Sequence, residues 1–276
     1  MTYRPRHTIN FDIPIATQPA SKGVETLADI ADSNTNVPSS PYRGEEVDAE
    51  LAQKAATYFA SQAYGGVRLF DVSTFFNLIG TKEAYSILLY RGKDPMPTPE
   101  EIDDKVNEHI KNRKKLEDQL QTSKGKAKAK IKAAISKAWS NISCPQDFVT
   151  VICGAHTGHV PVISMTEGLP IDMVLRKEIE EQLATQYGNQ GVIFIGPIYF
   201  GAFDIGFEFE VDGRSVIVDP ATYRETDKEL LLYDYSAAAV ETKKEKTESD
   251  IAEAIEERRA LMQKKWDFVR SLGNED

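Results

Sequence analysis

The sequence predicts an α+β fold: a mixed or antiparallel sheet packed against helices, with a projecting basic helical hairpin and a flexible N-terminal arm. Three observations predict it. Residues 191–220 alternate apolar and polar positions and are broken by Asp212-Gly213, the strongest short-range signature of a β-hairpin. Two helical patterns follow one another over 98–142, joined by a connection at 122–125. Residues 1–44 are rich in Pro, Ser, Asn and Asp, a composition that buries too little apolar surface to offset its ordering entropy.

In order, the arm holds one short strand candidate at 8–15. Residues 45–97 are then expected to be the helical N-terminal part of the core. Val47, Leu51, Ala55, Tyr58 and Phe59 recur at helical spacing and predict a helix over 45–64, ended by Gly65. A short strand is expected at 67–70. Ser73 and Thr81 read as caps of two helical turns stopped by Gly80 and Gly92. Thr98, Pro99 and Glu101 form the cap, first helical position and reciprocal carboxylate of a capping box, so a helix is expected to about residue 121. Its partner carries Ile131, Ile135, Ala138 and Trp139 along one side.

The sheet-containing core spans 143–235. Strands are expected at 148–153 and 160–165, then a helix with Ile171, Val174, Leu175, Ile179 and Leu183 inward, closed by Gly188. Residues 223–235 read equally as strand or helical turn. Residues 236–276 hold a charged helix capped by Ser249, with Ile251, Ile255, Met262, Trp266 and Val269 on one side.

Composition narrows the function classes. The chain has 276 residues, 41% hydrophobic and 28% charged, with a net charge of −10, which argues against a general nucleic-acid binder. Its longest apolar runs fall short of a membrane span, and its first residues lack the apolar core of a secretory leader, so an intracellular, cytoplasmic location is expected. Two cysteines, Cys144 and Cys153, make no disulfide framework. Charge is uneven: residues 111–137 carry ten basic and two acidic side chains, +8, leaving −18 for the rest. The basic patch comprises Lys111, Arg113, Lys114, Lys115, Lys124, Lys126, Lys128, Lys130 and Lys132, suited to an acidic protein face or to phosphates. Its lysines outnumber its one arginine, and no aromatic in its second helix beyond Trp139 offers stacking, so protein docking ranks above nucleic acid.

Cys153, His156 and His159 gather in one turn between two strands. A thiolate and two imidazoles are zinc ligands, and a histidine beside a cysteine is also the apparatus of nucleophilic hydrolysis. The spacing is not a usual zinc pattern, and a plain tight turn with a buried strand-end cysteine and two surface histidines ranks ahead of both chemistries. The carboxylates Asp204, Glu208, Glu210, Asp212 and Asp219 would hold magnesium if they converged; their alternation with Phe207, Phe209 and Val211 instead predicts the wet face of a one-sided sheet. The commonest nucleotide-binding, metalloprotease and kinase signatures do not occur. The leading expectation is therefore a non-enzymatic structural or assembly protein, such as a virion component, joining protein subunits (itself included) through its arm and charged helices, with no cofactor. Alternatives are a hydrolase using the Cys153, His156 and His159 loop, with or without zinc, and a nucleic-acid-binding accessory protein using the lysine-rich hairpin.

Overall fold

The computed structural model describes residues 44–143, 147–188, 191–201, 204–220, 222–232 and 248–272, so the expected arm lies outside the described residues. The elements run α1 (Ala49–Tyr64), β1 (Arg68–Phe76), β2 (Lys82–Tyr90), α2 (Pro99–Thr122), α3 (Gly125–Ser143), β3 (Phe148–Gly154), β4 (Val162–Glu167), α4 (Ile171–Tyr187), β5 (Val192–Gly201), β6 (Asp204–Val211), β7 (Arg214–Val218), β8 (Glu225–Asp227) and α5 (Glu248–Ser271). A helical turn follows β8 over 228–232. The strands form one mixed sheet in the order β4-β3-β2-β1-β5-β6-β7-β8. Every neighbouring pair is antiparallel except β1 and β5, which run parallel.

The expected helical turns at 73–80 and 81–92 are strands instead. β1 and β2 form an antiparallel hairpin whose corner is built by Asn77: its Oδ1 accepts from the Ile79 and Thr81 amides at 3.1 and 2.8 Å. Thr81 thus donates into a turn rather than capping a helix, and Gly80 takes φ 75° there. Helices cover both faces of β2, so its apolar run has no alternation to distinguish it from a helix. Its side chains separate cleanly all the same. Tyr85, Ile87 and Leu89 pack with Ala52, Ala55, Ala56 and Ala60 of α1 and with Trp266 and Val269 of α5. Leu88 and Tyr90 point the other way, toward Ile102, Val106 and Ile110 of α2 and Val174, Leu175, Ile179 and Leu183 of α4.

Alanines on the buried face of α1 let the helix lie close to the sheet. The helix starts later than its periodicity predicts, because Asp48 caps it by accepting from the Leu51 amide at 2.7 Å. Residues before the cap are extended. Glu46 pairs with His156, and the Val47 amide reaches the Ala155 carbonyl at 2.9 Å.

Asp212 and Gly213, with φ 51° and 76°, make the two-residue turn between β6 and β7 that their sequence predicts. One expectation on this hairpin fails. Glu208 does not face water: it is 7% exposed, and its Oε1 accepts from Ser215 Oγ and Lys228 Nζ at 2.5 and 2.7 Å. The turn at 228–232 folds Lys228 back over that face, burying what alternation alone assigns to solvent. Glu210 is exposed as expected.

The capping box at Thr98 and Glu101 is formed in both directions. Below it α2 is not a free projection, since Ile102, Val106 and Ile110 belong to the core. Trp139 lies in α3, but its side chain is outside the described residues.

Candidate functional site

The turn between β3 and β4 is held from three sides. The Ala155 amide donates to the Glu83 carbonyl at 3.1 Å, and the Thr157 amide to the Glu45 carbonyl at 2.8 Å. Thr157 Oγ1 in return accepts from the Glu45 amide at 2.9 Å. From the last helix, Trp266 Nε1 donates to the His159 carbonyl at 2.8 Å. Gly154 is required at the turn's start, because a Cβ there would lie 2.5 Å from His159 Cβ.

This scaffold aims both imidazoles at one carboxylate of β2. Glu83 Oε2 lies 3.0 Å from His156 Nε2 and 3.5 Å from His159 Nε2. The two rings are 4.2 Å apart between centroids, and the Tyr199 ring meets His159 edge-on at 6.5 Å. The other carboxylate oxygen, Oε1, accepts from Asn77 Nδ2 at 2.9 Å. Asn77 has no freedom to flip, since its Oδ1 already receives two backbone amides at the corner. His156 is buried and its Nδ1 has no partner among the described residues, so in this arrangement Nε2 donates its proton to Glu83. Burial alone would raise the Glu83 carboxyl; the hydrogen bonds from His156 and His159 outweigh it and bring the group down to about 2. Burial pushes His159 down against the pull of Glu83. Glu83 therefore stands as a carboxylate, and burial favours the neutral form of the His159 imidazole.

The sequence groups His156 and His159 with Cys153, whereas the structure brings the two histidines to Glu83. Cys153 is instead fully buried among the α1 alanines, with Sγ 3.5 Å from the Ala52 carbonyl. Burial raises its thiol far above the ordinary range, which disfavours the thiolate form. Glu83 takes its place. The signal that could have found it is the alternation Glu83, Tyr85, Ile87, Leu89, which places Glu83 at the end of a buried strand face once β2 is read as a strand.

The basic patch divides. Lys111, Lys115, Lys124, Lys126, Lys128, Lys130 and Lys132 are exposed. Arg113 is instead 1% exposed and pairs with Glu178 of α4 and Glu117, while Lys114 pairs with Glu181. Both cations reach from α2 to α4, Arg113 buried and Lys114 at the surface. Among the described residues no three of the acidic set come together, with Asp204, Glu210, Asp212 and Asp219 at the surface and Glu208 paired inside.

No family model, curated protein or solved structure matches this chain. Its function must be argued from its own geometry. Among the described residues, no helix is long and apolar enough to cross a membrane.

Proposed function

We propose that the protein is a structural assembly component that joins subunits by strand addition at the seam between β1 and β5, with a second copy of the same chain as its first neighbour. One observation carries this reading. Among the described residues, six of the nine large hydrophobic side chains that remain exposed sit on these two strands or the turn after β1: Leu69, Phe76, Ile79, Ile193, Ile195 and Phe200. Single exposed apolar residues are ordinary, whereas a contiguous set marks an interaction surface.

The seam explains the clustering. Among the described residues β1 and β5 share a single pair, Phe76 with Ile198. Pro197, one residue earlier, has no N–H to offer, which weakens any continuation of the ladder. The first half of β5 therefore has a strand edge free of β1, with Ile193 and Ile195 at 56% and 54% exposure. Unprotected apolar edges of this kind pair with further strands. Two β5 edges meeting about a two-fold axis would be self-complementary. The charge division supports self-association as well, because a +8 segment on a chain otherwise at −18 attracts the body of another copy. A larger particle such as a virion is the setting in which such subunits operate.

The test is the Ile193→Lys, Ile195→Lys double variant, which places the charges that natural edge strands use against pairing. Light scattering across a concentration series should show wild-type oligomers and a variant whose association is at least about tenfold weaker, with equal melting temperatures at dilutions where both are monomeric. A wild type that stays monomeric throughout the series, or a variant that associates as tightly, rejects the proposal.

A further inference from the structure

The geometry points to a binding site for one divalent transition-metal ion of the zinc class at Glu83, His156 and His159, independent of the seam. Three ligand atoms of the right chemistry, Glu83 Oε2 and the two Nε2 atoms, all lie within 4.8 Å of one another. Zinc holds nitrogen and carboxylate oxygen at about 2.0–2.2 Å, so neighbouring ligands of a tetrahedral site stand roughly 3.3–3.5 Å apart. The separations from the carboxylate, 3.0 and 3.5 Å, lie close to that edge length. An ion entering between the three atoms would take the place of the His156 Nε2 proton, which the neutral imidazole would then carry on Nδ1.

The surroundings also have the form of a metal site. Ligating carboxylates are oriented by hydrogen bonds to their other oxygen. Asn77 does this, holding Oε1 while its own Oδ1 is fixed by the Ile79 and Thr81 amides. Trp266 fixes the backbone carrying His159, and the Glu46 bridge fixes that carrying His156. The His159 side chain is 30% exposed and that of Glu83 18%, so the cluster opens to solvent on one side. Three protein ligands with a solvent-facing fourth position accommodate an ion and a water molecule. Imidazole nitrogen with a single carboxylate favours zinc and its neighbours over magnesium or calcium, which require more oxygen.

The experiment is calorimetric titration of chelator-treated full-length protein with zinc chloride, with magnesium chloride as the comparison. One zinc ion per chain should bind, and magnesium should not. His159→Ala should weaken zinc binding by at least about a hundredfold, and Asn77→Ala by about 10–100-fold, the usual loss when an orienting partner is removed. Glu83→Gln, which keeps the side-chain shape, repeats the test at a second ligand and carries it alone if His159→Ala does not fold. Cys144→Ser with Cys153→Ala should leave the affinity unchanged. Absence of zinc uptake by the folded wild type would reduce the cluster to a buried Glu–His ion pair. Full affinity retained in Glu83→Gln, or affinity lost with the cysteines, would place the ion elsewhere. Either result overturns the inference.

Discussion

Replacing Arg113 with alanine is expected to destabilise the protein by about 3–5 kcal/mol, the range for removing one partner of a buried ion pair. The Arg113 side chain is 2% exposed, although it comes from the middle of a helix rich in charge. It reaches Glu178 of α4, whose side chain is 16% exposed, and Glu117 one turn along α2 at 3.5 Å. Tyr223 lies beside the pair, and burial together with the Glu178 charge pushes its hydroxyl up to about 12. Alanine would leave the Glu178 carboxylate buried without its main cation and would open a space where the guanidinium stem packs. Denaturant midpoints should record the loss. Arg113→Met combined with Glu178→Leu should recover most of it, because removing both charges also removes the desolvation cost. Retention of the full deficit in the double variant would mean that shape, and not charge, governs the contact.

Trp266→Ala is expected to cost a similar 3–5 kcal/mol through loss of a large core side chain. Trp266 is 0% exposed and packs with the α1 alanines and with β2 and β3. It also donates to the His159 carbonyl, so this substitution should loosen the turn that carries both histidines. Trp266→Phe separates the two roles. It keeps most of the apolar volume and removes only the indole hydrogen bond, worth about 1 kcal/mol. Met262→Ala, another core truncation on the same helix, should lower stability without disturbing the turn. Zinc affinity should therefore fall with Trp266→Phe and hold with Met262→Ala; equal affinity in both would show that the hydrogen bond does not position His159.

Local chemistry made much of this fold legible in the sequence. The Asp212-Gly213 turn, the Thr98 capping box, the strands at 148–154 and 162–167 and the buried stripe of α4 all follow from signals within a few residues. What the sequence hid depends on packing between distant segments. β2 reads as helical because helices cover both its faces and Thr81 imitates a cap, and the second half of β1 because Ser73 does. Glu83 was lost with that misreading, 73 residues from His156. Cys153 looked like a ligand beside two histidines, yet its side chain is fully buried against the α1 alanines. Arg113 counted as one more surface cation until α4 supplied its carboxylate. In each case the decisive partner lies on another element, and no local pattern names it.

The association proposed for the β5 edge can be read directly by amide hydrogen exchange. Protection of residues 192–196 is predicted to rise with protein concentration, as a strand from a second copy takes up their free backbone groups, while β6 keeps its protection at every concentration. Exchange at 192–196 that is independent of concentration, at levels where light scattering detects oligomers, would contradict assembly through this strand.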